Sequence, residues 1–218
     1  MYHATPAMFN RVLNWLFPDR CAGCRQLTGD LFCAACRKRL RPFPPFPPPA
    51  GLDRAWVAFR YEGALVSAIH QLKYGRRRRV AHALGDLLAA AAGPLVADAL
   101  IAVPLHRDRL RERGFNQAAE LAGRLRQAGG PPLIEGLVRI RSTQRQARLA
   151  ANARAANVAG AFAWNRPTPP PPHLILVDDV FTTGATLAAC AAALRAAGAQ
   201  SVGAIALARS LIDDSVVQ

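Results

Sequence analysis

The chain has 218 residues, with 28 Lys+Arg against 14 Asp+Glu and a formal net charge of +14. Hydrophobic residues make up 51% and charged residues 19%, which affords a sizeable core and excludes global disorder. The longest apolar run, Leu87–Ala97, carries Gly93 and Pro94 and is too short to cross a bilayer; with no recognisable signal peptide, the expectation is a cytoplasmic protein without membrane insertion, one full domain plus a small appendage.

Residues 8–17, MFNRVLNWLF, set Met8, Val12, Leu13 and Leu16 at helical spacing, and Pro18 ends that short amphipathic helix. Cys21-x2-Cys24-x8-Cys33-x2-Cys36 follows. Two CxxC knuckles supply four thiolates at the spacing of a tetrahedral Zn²⁺ site. Disulfides, rare in the cytosol, and a redox pair are the competing readings. The segment is too small to bury a core, so metal binding would drive its folding. Flanking Arg20, Arg25, Arg37, Lys38 and Arg39 either touch nucleic acid or keep the knuckle solvated.

Residues 41–51, RPFPPFPPPAG, hold six prolines. Consecutive prolines fix φ and offer no N–H, so this stretch reads as an extended, semi-rigid spacer between a 1–40 module and a 52–218 domain. Beyond it, residues 56–61 predict a strand and residues 64–73 and 80–92 helices, with Arg76–Arg79 between them. Residues 99–105 form a strand-sized run that stops at Pro104, and 116–128 an amphipathic helix closed by Gly129-Gly130. Residues 174–177 predict a strand buried on both faces, 185–198 a helix with a Gly stop, and 201–208 another buried strand. Strands alternating with helices indicate an α/β fold, a mostly parallel sheet flanked by helices. A second proline cluster, Pro167–Pro172, predicts a surface loop.

All basic residues but Lys38 and Lys73 are arginines. Arginine makes forked hydrogen bonds to phosphate and carboxylate, which suits a nucleic acid or a small polyphosphate, although genome composition alone also produces such a bias. Position along the chain separates the two.

The most informative segment is Leu174–Leu187, LILVDDVFTTGATL. A buried strand ends in Asp178 and Asp179, a turn rich in Thr and Gly follows, and a helix begins. In open α/β sheets ligands sit beyond the carboxyl ends of strands. Backbone N–H groups at the helix start, with the hydroxyls of Thr182, Thr183 and Thr186, make a phosphate cradle, and Gly184 allows close approach. Two carboxylates upstream repel phosphate but suit sugar hydroxyls or Mg²⁺. The constellation asks for a sugar phosphate. Capping accounts for one such residue, not for two acids, three Thr and a Gly together.

VDDVFTTGAT resembles the phosphoribosyl-pyrophosphate (PRPP) motif of type I phosphoribosyltransferases. CAGC…CAAC, YEGALVSAIHQLKYGRRR, VPLHRDRLRERGFNQAAELA and RSTQRQARLAANARAANVAGAF are similar to stretches of the ComF family. The likeness runs from about residue 8 to residue 209. It implies a type I phosphoribosyltransferase fold with a five-stranded sheet and a small N-terminal zinc-binding module. It implies that Asp178 and Asp179 face the ribose hydroxyls as the catalytic acids. It also implies that Thr182, Thr183, Gly184, Ala185 and Thr186 hold the 5-phosphate, and that Mg²⁺ accompanies PRPP. Several family members are linked to natural transformation, so single-stranded DNA or another nucleic acid is the alternative partner, with the PRPP pocket then regulatory or non-catalytic. A structural adaptor docking through the knuckle and spacer is the third reading.

By position VPLHRDRLRERGFNQ resembles the pyrophosphate loop of these enzymes. Arg107, Arg109, Arg111 and Arg113 would scatter around a helix but can converge in a loop, with Arg107, Arg109 and Arg113 the candidates for the leaving pyrophosphate. His106 stands beside them. Between Glu135 and Asp178 there is no acid but six arginines, among them Arg145 and Arg148. In the family this is the flexible loop that closes over PRPP and excludes water. A nucleic-acid track and a plain basic surface are the alternatives. Arg76–Arg79 follow Lys73-Tyr74 where relatives often carry an acid, and four like charges repel unless an anion sits there. Thr182 stands where purine-salvage relatives have an acid that accepts a proton, so the general base is missing from that position. Cys190 reads as core packing.

Overall fold

The structure, a computed structural model, describes residues 19–75, 77–141 and 157–210. The helix expected over 8–17, Arg76, Arg145 and Arg148 lie outside them.

The chain runs through α1 (Ala34–Lys38), β1 (Arg54–Arg60), α2 (Gly63–Tyr74), α3 (Arg78–Ala92), β2 (Ala99–Ala102), α4 (Arg107–Arg113), α5 (Gln117–Gln127), β3 (Leu137–Arg139), β4 (Phe162–Trp164), β5 (His173–Phe181), α6 (Ala185–Ala196) and β6 (Ser201–Arg209). β1, β6, β5 and β2 form, in that order, an all-parallel sheet. Parallel strands need crossovers, and the helices supply them, so both faces are covered. One face buries Val177, Ile205 and Leu207 under α2, α3 and α5. The other buries Leu174, Leu176 and Ala204 under α6 and the antiparallel pair β3–β4.

Among the described residues the sheet has four strands where five were expected. The missing edge is a single parallel bridge, Leu100 to Leu133. Leu100 donates to the Pro132 carbonyl and accepts from Ile134 N–H. Pro131 and Pro132 carry no N–H, so the ladder stops after one rung.

The proline-rich stretch is extended and lies along the edge strand. Arg60 N–H donates to the Arg41 carbonyl, and Phe43 N–H to Ala58. Phe43 and Phe46 then stack on the end of β5 and β6, where Arg209 lies 4.0 Å from the Phe46 ring and 4.9 Å from the Phe181 ring. The cysteine segment also leans on the sheet domain. Phe32 is fully buried in the core beneath α2, and Gln71 of α2 donates to the Ala22 carbonyl at 2.9 Å. Gly23 is needed for that approach: a Cβ there would sit 2.9 Å from both the Ala64 Cβ and the Cys36 Sγ.

Candidate functional site

β5 continues past the apolar run. Its ladder with β6 holds through Asp178 and on to Phe181, so both aspartates lie inside the strand rather than after it. They line one cleft at the carboxyl end of β5 and β2, with a volume of about 260 Å³. Successive strand residues point to opposite faces. Asp179 is buried and meets Lys73 of α2, Nζ to Oδ2 3.0 Å. Asp178 is half-buried, and its Oδ1 accepts from the Asp179 amide at 2.8 Å. Burial, then the neighbouring Asp179, pushes the Asp178 carboxyl up to about 7 against the pull of Lys73. Burial works against the Lys73 charge, but Asp179 and Asp178 outweigh it and raise its pKa.

Gly184 opens α6 in the left-handed region, φ +82°, and gives no side-chain cap to the helix. Thr183 Oγ1 accepts from Ala185 N–H at 3.4 Å. Thr182, Gly184 and Thr186 line the cleft; Thr183 and Ala185 complete the turn behind them. The positive end of a twelve-residue helix therefore faces the cleft.

The segment after β2 corrects the expectation of an arginine loop. Residues 107–113 are a helix, α4. His106 caps it, its Nδ1 accepting from Asp108 N–H at 3.4 Å, and the left-handed Gly114 ends it. The helix buries nothing, which is why no apolar periodicity announces it. A helix sorts its residues: Arg109 and Arg113, four apart, share a face, are half-buried and line the cleft, whereas Arg107 and Arg111 are exposed outside it. Arg113 donates to Gln117 at 2.8 Å, and Gln117 is buried. His106 does not line the cleft.

Arg139, one of the six arginines of the acid-free stretch, and Lys73 were not singled out as site residues by the sequence. Arg139, at the end of β3, lines the cleft and lies 5.3 Å from the Phe162 ring. Burial, then Arg109 beside it, lowers its pKa. Lys73 is one of two lysines in an arginine-rich chain, the signal that would have found it. Glu112 adds a third carboxylate to the lining.

Arg77–Arg79 need no external anion. Arg77 and Arg79 meet Asp19 at 3.8 and 3.0 Å, and Arg78 meets Glu120 at 2.9 Å. The acids come from distant segments, which spacing along the chain does not show.

Cys21, Cys24, Cys33 and Cys36 place their sulfurs within 4.8 Å of one another. Cys21 and Cys36 sulfurs are 3.7 Å apart and those of Cys24 and Cys33 3.8 Å. All four are free thiols, so the disulfide reading falls. A tetrahedral Zn–S bond of about 2.3 Å demands S···S separations of about 3.8 Å, and the cluster can hold a metal ion such as zinc. Burial pushes the Cys21 thiol up, but the amides of Cys33, Cys24 and Gly23 outweigh it and bring it down to about 6, toward the thiolate a metal needs. Cys190 is buried on α6, as expected of a core residue. No helix among the described residues is long and apolar enough to cross a membrane.

No family model matches the chain. Among solved structures it is similar to a hypoxanthine phosphoribosyl transferase of Trypanosoma cruzi, 14% identical with a TM-score of 0.36, covering 63% of this chain and 66% of that one; a likeness that loose says nothing of activity. It is 28% identical over 225 residues to competence protein F of Haemophilus influenzae, covering 89% of this chain and 98% of that protein. It is 36% identical over 173 residues to the DNA utilization protein YhgH of Shigella flexneri, covering 76% of this chain and 75% of that protein. With relatives of that identity and coverage, the chain belongs to the ComF family.

Proposed function

We propose that the cleft binds PRPP and that the protein is of phosphoribosyltransferase type, with pyrophosphate as the leaving group. One observation carries this reading: a single cleft joins an anion seat at the start of α6, an acidic centre at Asp178, and an arginine cluster at Arg109, Arg113 and Arg139. Phosphate, sugar and pyrophosphate fall on those parts in that order. The α6 amides and the hydroxyls of Thr182 and Thr186 take the 5-phosphate, and Asp178 accepts from ribose hydroxyls. The guanidinium groups stabilise charge as it gathers on the departing pyrophosphate. Asp178 supplies the kind of hard oxygen donor Mg²⁺ prefers, and Mg²⁺ bound with the ligand would add further neutralisation. With its pKa raised to about 7, Asp178 can also take up a proton near neutrality, which Thr182 cannot. The cysteine cluster holds structural Zn²⁺ in a cytoplasmic protein. Calorimetric titration with PRPP and Mg²⁺ tests the reading: wild type binds, and the variant with Asp178→Asn and Asp179→Asn loses most of the affinity. No heat with wild type, or unchanged binding by the variant, refutes it.

A second reading is nucleic-acid handling in DNA uptake. The relatives named for DNA utilization and competence favour it, as does the cysteine module, where Arg20, Arg25, Arg37, Lys38 and Arg39 are all exposed. Here the PRPP pocket would be regulatory or without turnover.

A further inference from the structure

We propose that Lys73 is the built-in cation of the cleft: its ammonium, held on Asp179, does at the sugar end what a divalent ion would otherwise do, so that a sugar phosphate seats there without one. The inference rests on reading the cleft as a sugar-phosphate site.

Geometry carries it. The Lys73 and Asp179 side chains are only 22% and 10% exposed, and they meet at 3.0 Å. Two adjacent carboxylates in a half-closed cleft need a counter-charge, and a partly buried charge without one costs far more than a surface charge. Asp179 meets the ammonium directly, and Asp178 and Arg113 line the same cleft. Lysine rather than arginine stands here in a chain with only two lysines, and its head is a compact point charge with three donors. The ammonium meets Asp179 as an ion pair, while Lys73 also lines the cleft.

The ammonium is also held in place from behind. Gln117 donates to the Leu72 carbonyl at 3.4 Å and to the Phe115 carbonyl at 3.3 Å, and accepts from Arg113. Gln71 is fixed on the cysteine module through Ala22. Gln71 and Leu72, the two residues that precede Lys73 in α2, are therefore anchored, and the last turn of the helix favours a cation. A metal ion must be recruited from solution; this cation arrives with the fold.

The test compares wild type, Lys73→Met and Lys73→Met with Asp179→Asn, each titrated with ribose 5-phosphate in chelator and in millimolar Mg²⁺. Thermal melting with Mg²⁺ alone runs alongside. Wild type should bind equally in both buffers, and Mg²⁺ alone should not move its melting temperature. Lys73→Met should bind at least about tenfold more weakly in chelator, recover in Mg²⁺, and melt higher when Mg²⁺ is added. The double variant should show neither recovery nor the Mg²⁺ shift, because Asp179 no longer needs a cation. Equal losses by Lys73→Met in both buffers, or no loss, overturn the proposal. Should Lys73→Met fail to fold, wild type decides: equal affinity in both buffers upholds it and a strict Mg²⁺ requirement overturns it. Wild type binding in neither buffer removes the sugar-phosphate reading and this inference together. Failure confined to the Lys73→Met comparison leaves that reading standing.

Discussion

Pro49 packs on Gly184. A Cβ placed on Gly184 would lie 2.7 Å from the Pro49 Cγ, and the glycine is already at φ +82°. Space and backbone conformation thus both demand glycine where the turn after β5 meets α6. Gly184→Ala should cost about 1–3 kcal/mol of stability, read from chemical denaturation. It should also weaken PRPP binding by about tenfold or more, because the turn must shift to relieve the contact. Pairing it with Pro49→Ala relieves the proline contact but neither the Phe181 ring at 3.0 Å nor the φ strain, so only part of the stability should return.

Asp178 makes stability depend on pH in a stated direction. Its carboxyl is raised from 3.8 to about 7 in the folded protein, so folding favours its protonated form. Well below pH 4 the group is protonated in both states and contributes no penalty. As pH rises toward 7 the unfolded chain ionises it freely while the folded chain resists, and the penalty grows to its full size above that. Asp178→Asn should therefore stabilise the protein by about 1–2 kcal/mol above neutrality and by almost nothing about one pH unit below the ordinary carboxyl value of 3.8, while abolishing PRPP binding. Melting temperatures across that range check it.

α4 turns one cluster of arginines into two classes. Arg109→Ala and Arg113→Ala should each weaken pyrophosphate and PRPP binding by about ten- to a hundredfold. Arg107→Ala should leave both near wild type. A loop in which all the arginines converge would give equal losses at the three positions, and calorimetry with pyrophosphate separates the outcomes.

Much of this architecture was legible in the sequence, and the failures share a cause. LILV announced β5, but the strand runs four residues further because its ladder to β6 holds where the apolar pattern ends. α4 carried its own stop signal in Gly114 and an Asp108–Arg111 pair three apart, yet without a buried face it left no periodicity to read. Lys73 and Arg139 reach the cleft from α2 and β3, elements distant in sequence from the aspartates they serve. The motif showed the residues contiguous in the chain; the fold added those that arrive from elsewhere. The same reason explains Arg77–Arg79, whose acids are Asp19 and Glu120.

The cysteine cluster gives a metal-dependent prediction. Cys33→Ser should lower bound zinc, measured by elemental analysis, and destabilise the protein by several kcal/mol. Phe32, next to it, lies in the core shared with α2, so the loss should reach the sheet domain's melting transition rather than a separate local one. A chelator should reproduce the effect on wild type.

Nucleic-acid binding, if the cysteine module provides it, should be lost on neutralising Arg37, Lys38 and Arg39 together and should fall steeply with salt. Neutralising Arg77 and Arg79 should instead lower stability, since their partner is Asp19. Fluorescence anisotropy with a single-stranded oligonucleotide distinguishes the two sets.

The prolines beside β1 have a bearing on assembly. An outermost strand ordinarily presents unused amides on which another chain can build. Here Arg41 and Phe43 have taken the upper rungs of that strand, and the residues around them, Pro42, Pro44 and Pro45, have no amide hydrogen to offer onward. Growth of the sheet in that direction ends with its own chain, and the segment that packs on Gly184 leaves an incoming strand few amides to pair with.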